Sequence, residues 1–213
     1  YGRVNLQLPL IDDLCQLKRG NFQEKVALEW AANTQASIGN KLLSLWVDCP
    51  SVIKLRNGET IESYEEWVII VATPYKDGVE ENPYQDIPID LYKKYLVEGM
   101  EDTNYDDVME ALDVNRKIED ANQKLLGDAN AIKIGKSISL GLLGVTDSVH
   151  YGLLQGVSST KMSERIVSSV TASTLVNGVA VHFYFYDYYE NKKTISDLLF
   201  KSKFYSAALA ALN

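Results

Sequence analysis

The chain has 213 residues, of which 46% are hydrophobic and 23% are charged, a composition typical of one folded globular domain over 1–213. This composition excludes disordered, collagen-like and coiled-coil proteins, and no run approaches the roughly 18 to 20 apolar residues of a membrane-spanning helix. The formal net charge of −8 repels phosphate backbones, so nucleic acid is not expected as a partner.

The first third of the chain alternates strand-like and helix-like patterns. Apolar and polar residues alternate from Val4 to Ile11, which is typical of a half-buried strand. A proline-free segment with helical spacing begins at Phe22 and ends before Gly39, a residue type that often terminates helices. The predicted elements are a strand over 4–11, a helix over 22–38, a strand over 42–49, a short helix over 51–56, a helical turn over 61–66 and a strand over 67–73.

The middle of the chain is acidic. Between Asp77 and Asp128 there are fifteen acidic and five basic residues, a local charge of −10. Two helices are predicted, over 89–101 and 105–126, after a long loop from Pro74 to Pro88. A solvated helical face is the simpler interpretation of the acidity, and a docking surface or a cation site is the alternative. Because the acidic residues do not follow the spacing of a calcium loop, no metal is expected.

The last third contains a clear hairpin pattern. Apolar residues alternate on both sides of Asn177-Gly178, a pair that favours a two-residue turn. Such a turn predicts a register in which Ala172 faces Phe183 on an apolar side and Ser173 faces His182 on a polar side. We expect this hairpin to lie at or near the centre of an antiparallel sheet.

A second hairpin and a closing helix complete the predicted fold. The hairpin joins 137–145 to 149–157, and the helix opens at Thr194 as its cap. Its predicted buried stripe consists of Ile195, Leu198, Leu199, Tyr205 and Leu209. Because four strands follow one another without intervening helices, the order favours an α+β fold with an antiparallel sheet.

The polar side of the first hairpin is the candidate binding site. His182, Tyr184 and Tyr186 share it with serine and threonine hydroxyls, a combination found at small-molecule and peptide sites. The alternative is that these side chains are core residues whose polar groups are satisfied inside the protein. The second histidine, His150, lies beside a predicted turn and is less favoured than His182 as a binding residue.

Motifs of catalysis and of cofactor binding are absent from the sequence. There is no G-x-S-x-G elbow and no phosphate-binding loop, and Gly141 to Gly144 lacks the three-glycine dinucleotide pattern. We therefore expect no catalytic residue and no cofactor.

Cys15 and Cys49 are the two cysteines, and each lies at or just beyond the end of a predicted strand. Such a pair is compatible with a disulfide in an exported protein or with two buried thiols in a cytoplasmic one. A zinc site is disfavoured, because both histidines lie far along the chain.

Several segments resemble a group of exported bacterial proteins of unknown function. SLGLLGVTDSVHYGLLQGV and ERIVSSVTASTLVNGVAVHFYFYDYY, followed by the amphipathic closing helix, are similar to the ends of those proteins. LPLIDDLCQL and GNKLLSLWVDCPSV are similar to their first segments. The group is similar in fold to the extrinsic oxygen-evolving subunit P of photosystem II and to a Ran-binding nuclear import factor.

This resemblance implies a fold, a compartment and a class of function. The fold would be an α/β/α sandwich, a mainly antiparallel sheet flanked by helices. A leader would have been removed before Tyr1, Cys15 and Cys49 would be bridged, and the protein would be periplasmic or secreted, with the cytoplasm as the alternative. The relatives act as binding or assembly modules, so we expect a non-catalytic module with an unknown small-molecule or protein partner. An uncharacterised envelope hydrolase that uses the His182 face is the alternative.

Overall fold

The structure, a computed structural model, describes residues 5–59, 61, 63–73, 75–76, 79–80, 84, 86–101, 116, 120, 132–159 and 162–213. The strands in these ranges are β1 (Leu14–Gln16), β2 (Lys41–Asp48), β3 (Glu66–Thr73), β4 (Tyr75–Lys76), β5 (Val79–Glu80), β6 (Ile132–Val145), β7 (Val149–Ser159), β8 (Arg165–Val176) and β9 (Val179–Tyr188). The helices are α1 (Phe22–Ser37), α2 (Cys49–Arg56), α3 (Ile89–Glu101) and α4 (Lys192–Leu212). None of the helices in the described ranges is both long enough and apolar enough to cross a bilayer.

Seven strands form one sheet in the order β1-β2-β3-β9-β8-β7-β6, and every neighbouring pair is antiparallel. This confirms the mixed α+β class with an antiparallel sheet. β4 and β5 pair separately as a short antiparallel hairpin within the segment from Pro74 to Pro88, where only a loop was expected. β9 is the fourth strand of seven, so the hairpin that it forms with β8 is central, as the alternation predicted.

The turn between β8 and β9 sets the register that the sequence indicated. Asn177 has a φ of 48° and Gly178 a φ of 77°, the left-handed conformations that a tight hairpin turn of this kind requires. Val176 therefore pairs with Val179, and Ala172 with Phe183. With this register, one side of β9 is apolar from Val179 to Phe185, and the other side carries His182, Tyr184 and Tyr186.

Two large core clusters contain residues from opposite sides of the sheet. The first joins Val181 and Phe183 of β9 to Leu198 and Leu209 of α4, and these side chains are almost completely buried. The second joins residues of β2 and β3 to α1 and α2, including Val47, Val71, Leu28 and Val52. A third cluster packs Tyr92 of α3 against Leu175 and Ala180. Burying one such apolar side chain contributes about 1.5 to 3 kcal/mol.

The closing helix begins earlier than predicted. Asn191, not Thr194, is the N-cap, and its side chain accepts a hydrogen bond from the Lys193 N–H at 2.8 Å. Thr194 is the third helical residue, where its hydroxyl accepts from the Glu190 N–H at 3.4 Å. Both residue types cap helices well, and with the earlier cap the helix is three residues longer than predicted.

Two other predicted elements are wrong. Residues 5–11 form no strand, because Leu6 and Leu8 pack directly against the first core cluster while Pro9 has no N–H to donate to a ladder. The described residues of 61–66 are not helical. There the Glu65 N–H donates to the Asp48 carboxylate at 3.0 Å, which aligns the chain with the start of β3.

The acidic segment lies mostly outside the described residues. The predicted helix over 105–126 can be assessed at Arg116 and Asp120 alone, and both are helical. The preceding helix is confirmed as α3.

Candidate functional site

β9 and β8 together form the polar side of the central hairpin. The side chains of β9 on this side are half-buried, and their partners on β8 carry hydroxyls that are buried. None of these residues carries a formal charge at neutral pH. We call this set the polar face, and it consists of the cross-strand pairs His182–Ser173, Tyr184–Thr171 and Tyr186–Ser169.

A chain of hydrogen bonds holds the imidazole of His182. Asn40 donates through Nδ2 to Gln35 at 3.1 Å, and its Oδ1 accepts from the Thr73 hydroxyl at 2.8 Å. The Thr73 oxygen lies 3.0 Å from His182 Nε2, and the Ser173 oxygen lies 2.8 Å from Nδ1. Because the Thr73 proton is directed to Asn40, Nε2 carries the imidazole proton and Nδ1 accepts from Ser173.

This arrangement keeps His182 neutral and internally satisfied. Burial lowers the pKa of His182 from 6.5 to about 4, so the ring is uncharged at neutral pH. Ser173 and His182 form a hydroxyl–imidazole pair of the kind that activates nucleophiles, but Ser173 is only 2% exposed. A substrate approaching from solvent does not reach its Oγ. The imidazole links the Thr73 hydroxyl of β3 to the Ser173 hydroxyl of β8.

A ladder of aromatic rings crosses the polar face. Tyr186 stacks on Trp67 of β3 with ring centroids 5.0 Å apart and an interplanar angle of 12°. Tyr184 stacks on Tyr186 at 6.4 Å, and His182 on Tyr184 at 6.3 Å. Tyr188 also contacts Trp67, edge-on, with ring centroids 6.2 Å apart. Parallel and edge-to-face pairs of this spacing stabilise one another by roughly 0.5 to 1.5 kcal/mol beyond the area they bury.

Tyr188 closes the outer end of the ladder. The Arg165 guanidinium lies over its ring, 4.2 Å from the centroid, and its hydroxyl donates to the sulfur of Met162 at 3.4 Å. Trp67 and Tyr188 belong to the site although they are not among the predicted site residues. The alternation along β9 includes Tyr188, but the approach of Trp67 depends on the pairing of β3 with β9, which no local pattern specifies.

The rings of the polar face are neither sealed nor fully open. Tyr184 and Tyr186 are half-buried and pack partly against the second core cluster, beside α1 and α2. Tyr151 of β7 extends the same side of the sheet, paired with Thr171, and its burial raises the pKa of its hydroxyl. Part of each ring is thus a core side chain, and part faces outward.

His150 lies on the other side of the sheet and does not join the polar face. It is completely buried, with Nδ1 3.0 Å from the Ser202 hydroxyl of α4 and Nε2 2.9 Å from the Thr146 hydroxyl. Ser202 donates to the Leu199 carbonyl, so it accepts from Nδ1 and Thr146 donates to Nε2. Burial, with a smaller contribution from the charge of Lys203, lowers the pKa of His150 to about 4. This histidine connects α4 to the sheet.

Cys15 and Cys49 form a disulfide with a Cα–Cα distance of 4.9 Å. The bridge links β1 to the first residue of α2, beside the second core cluster. The predicted pairing is confirmed.

An ion pair with one buried partner lies near the bridge and was not predicted. Glu24 of α1 is 1% exposed, and its carboxylate accepts from Arg56 Nε at 2.7 Å and from the Lys18 N–H at 2.7 Å. Burial alone would raise the pKa of Glu24, but the hydrogen bonds from Arg56 and Lys18 outweigh it and lower the pKa. This pair ties α1 to α2 and has a structural role.

Two carboxylates lie side by side at the end of the sheet. Glu66 pairs across strands with Asp187, and Lys201 of α4 binds Glu66 through both carboxylate oxygens, at 2.5 and 2.7 Å. Burial, and then the charge of Glu66, raise the pKa of Asp187 to about 6. These groups lie on the side of the sheet that α4 covers, away from the polar face.

The remaining candidate sites can be assessed only in part. Among the described residues, no group of three or more histidine, cysteine, aspartate or glutamate side chains is arranged to hold a metal ion. The acidic segment lies largely outside the described ranges, and within the loop from Pro74 to Pro88 the structure describes residues 75–76, 79–80, 84 and 86–88.

Compared with known proteins, the chain matches no protein-family model and no curated protein in sequence.

Proposed function

We propose that this chain is a non-catalytic binding module whose ligand lies on the polar face. One observation carries the proposal: half-buried tyrosine rings and buried hydroxyls lie side by side on a surface without formal charge. Such surfaces bind ligands through ring contacts and a few oriented hydrogen bonds. An uncharged small molecule or a peptide segment of a protein partner fits this chemistry best.

We infer further that the module acts outside the cytoplasm, in the periplasm or as a secreted protein. The disulfide between Cys15 and Cys49 supports this location, because thiols remain reduced in most cytoplasms. Fractionation of the cells that make the protein tests the inference. We expect an oxidised protein outside the cytoplasmic fraction, whereas a reduced protein that fractionates with cytoplasmic markers would contradict it.

The α/β/α sandwich and the family resemblance belong to the same proposal. Supporting it, Ile70 of β3 packs in the core cluster that contains α4, while its neighbour Val71 packs in the cluster that contains α1. Neighbouring strand residues point to opposite sides of a sheet. An experimental structure with α1 and α4 on the same side would overturn the sandwich.

Hydrolysis is the second candidate function, and one contact favours it. Ser173 Oγ lies 2.8 Å from His182 Nδ1, as in a serine–histidine pair. Against it, the serine is buried and the other ring nitrogen meets Thr73 instead of a carboxylate. A fluorophosphonate probe separates the two functions. We expect no labelling of the folded protein, whereas labelling that disappears in Ser173→Ala would favour the hydrolase.

A ligand screen by thermal unfolding tests the binding proposal. Peptides, sugars, lipids and metals are added to the wild type and to Tyr184→Ala, and Tyr95→Ala is the matched control because Tyr95 is 54% exposed on α3. A ligand that binds the native state raises the melting temperature. We expect a ligand that stabilises the wild type and the control but not Tyr184→Ala. Equal stabilisation of all three proteins would remove the polar face as the site.

A further inference from the structure

The outer side of α4 carries an apolar stripe that nothing in the described structure covers. Phe200 is 71% exposed and Phe204 is 55% exposed, although both belong to the helix that seals the apolar side of the sheet. Ala207 and Ala211 continue the stripe, and both are exposed. We call these four residues the α4 seam.

The spacing of the α4 seam is that of a helix–helix contact. Its residues follow one another at intervals of four, three and four, which keeps them on one line along a helix, as in the seam of a coiled coil. The seam ends on its N-terminal side at Asp197, which is ion-paired with Lys193 at 2.6 Å. The inward side of α4, with Leu198 and Leu209, is already packed on the sheet. The seam is thus a second, separate apolar side of the same helix.

The order of large and small residues identifies the occupant. Two phenylalanines occupy the first half of the seam and two alanines the second half. A second α4 laid antiparallel across it would place Phe204 against the partner's Ala207 and Phe200 against the partner's Ala211. Each phenylalanine ring then packs against an alanine, which leaves space for it. Both copies make the same contacts, as a two-fold axis requires.

Charge agrees with this arrangement. In the antiparallel register Lys201 lies level with the partner's Ala210, and its ammonium is already bound to Glu66 on the sheet side of α4, so it brings no unpaired charge to the seam. Lys203 faces the partner's Ala208, so no lysine is opposed to a lysine. An anionic lipid surface fits less well, because the whole chain carries a net charge of −8.

We propose that the α4 seam is a self-association surface on which two copies of this chain pair through antiparallel α4 helices. A single helix pair of this length buries less than about 1,200 Å², the low end for specific interfaces. The dimer is therefore weak and forms only at high protein concentration. The surface lies on the opposite side of the sheet from the polar face, so pairing leaves the candidate ligand site uncovered.

Sedimentation velocity on the full chain, from about 1 μM to 1 mM, tests the proposal. We expect a monomer–dimer equilibrium in the wild type and a monomer throughout in the double variant Phe200→Glu/Phe204→Glu. The matched control is Phe22→Glu, because Phe22 is 76% exposed on α1 but is followed at seam spacing by Glu29 and Asn33. The control should dimerise like the wild type. A wild type that is monomeric at every concentration overturns the proposal, as does a control that dissociates equally.

Two further variants test the geometry. Ala207→Trp fills the position that receives the partner's Phe204, so it should raise the dissociation constant of the dimer at least tenfold. If the contact were non-specific and apolar, the added ring would lower the dissociation constant instead. Chains with Phe200→Cys and chains with Ala211→Cys, mixed under mild oxidation, should form a mixed disulfide. Phe200→Cys alone should not cross-link, since two such positions lie about 16 Å apart along antiparallel helices. Self-cross-linking without the mixed product, or flotation of a monomeric wild type with phosphatidylcholine–phosphatidylglycerol vesicles, would overturn the self-association.

Discussion

The two sides of β9 differ although their residues alternate along one strand. On one side Val181, Phe183 and Phe185 are completely buried beneath α4. On the other side His182 and Tyr184 are half-buried within a network of hydroxyls and rings. The apolar side has no polar groups to bind water, so a helix covers it. The polar side satisfies its hydrogen bonds locally, so it can remain partly open, as the proposed ligand contact requires.

The largest expected effect is the contrast between adjacent residues. Phe183→Ala should lower the free energy of unfolding by about 3 to 5 kcal/mol, because it leaves a cavity between the sheet and α4. Tyr184→Ala should cost only about 1 to 2 kcal/mol, since its ring is half-buried. Urea unfolding of the two variants measures the difference. Equal losses would mean that the polar face is as much a part of the core as the apolar side.

The disulfide supports the side of the sheet that carries the polar face. Replacing both Cys15 and Cys49 by serine should lower the free energy of unfolding by about 3 to 4 kcal/mol, because the bridge closes a loop with a sequence separation of 34. Chemical denaturation of this variant and of the wild type, with and without reductant, provides the measurement. Reductant should affect the wild type alone. Unchanged stability on reduction would show that the bridge does not constrain the unfolded chain.

Acid should destabilise both sides of the sheet through their histidines. The pKa of His182 and that of His150 are about 4 in the folded chain, below the ordinary 6.5, so the unfolded chain binds more protons between these values. The contribution of the two neutral histidines to the free energy of unfolding is fully present above pH 6.5. It is lost as the pH falls toward 4, by up to about 3 kcal/mol for each histidine.

Glutamine substitutions separate the two histidines. His182→Gln and His150→Gln should each reduce the slope of stability against pH by up to about 1.4 kcal/mol per pH unit in this window. Unfolding curves between pH 7.5 and 4.5 show this change. A slope that neither substitution alters would contradict the proposed neutral, hydroxyl-bound imidazoles.

The smallest expected effect concerns the covered side of the sheet. The pKa of Asp187 is raised to about 6, so its carboxyl favours folding below the unfolded pKa and this contribution is lost as the pH rises through 6. Asp187→Asn should therefore raise stability at pH 8 by roughly 1 to 2 kcal/mol, after allowing for solvent screening. The gain should vanish near pH 4. A loss of stability at pH 8 would show that the carboxylate has a binding partner that the substitution removes.

Local patterns predicted the central hairpin down to its register. A two-residue turn and a period of two leave one pairing for each residue, so Ser173 was placed opposite His182 correctly. The short helix after Cys49 and the strand over 67–73 were likewise confirmed, since each has its own local signal.

Contacts between distant segments could not be predicted. Thr73 reaches His182 and Trp67 reaches Tyr186 because β3 pairs with β9, more than a hundred residues away along the chain. The strand predicted from the alternation between Val4 and Ile11 was wrong. The same spacing also occurs in an extended segment whose side chains pack on the core although its backbone does not join the sheet.

NMR chemical-shift mapping with a ligand from the thermal screen tests most directly that the polar face is the binding surface. We expect the largest shifts at His182, Tyr184 and Tyr186, with little change at Phe183 and Phe185 beyond that transmitted through the strand. Shifts that cluster on α4 or on α3, with the tyrosine signals of β9 unchanged, would contradict the account.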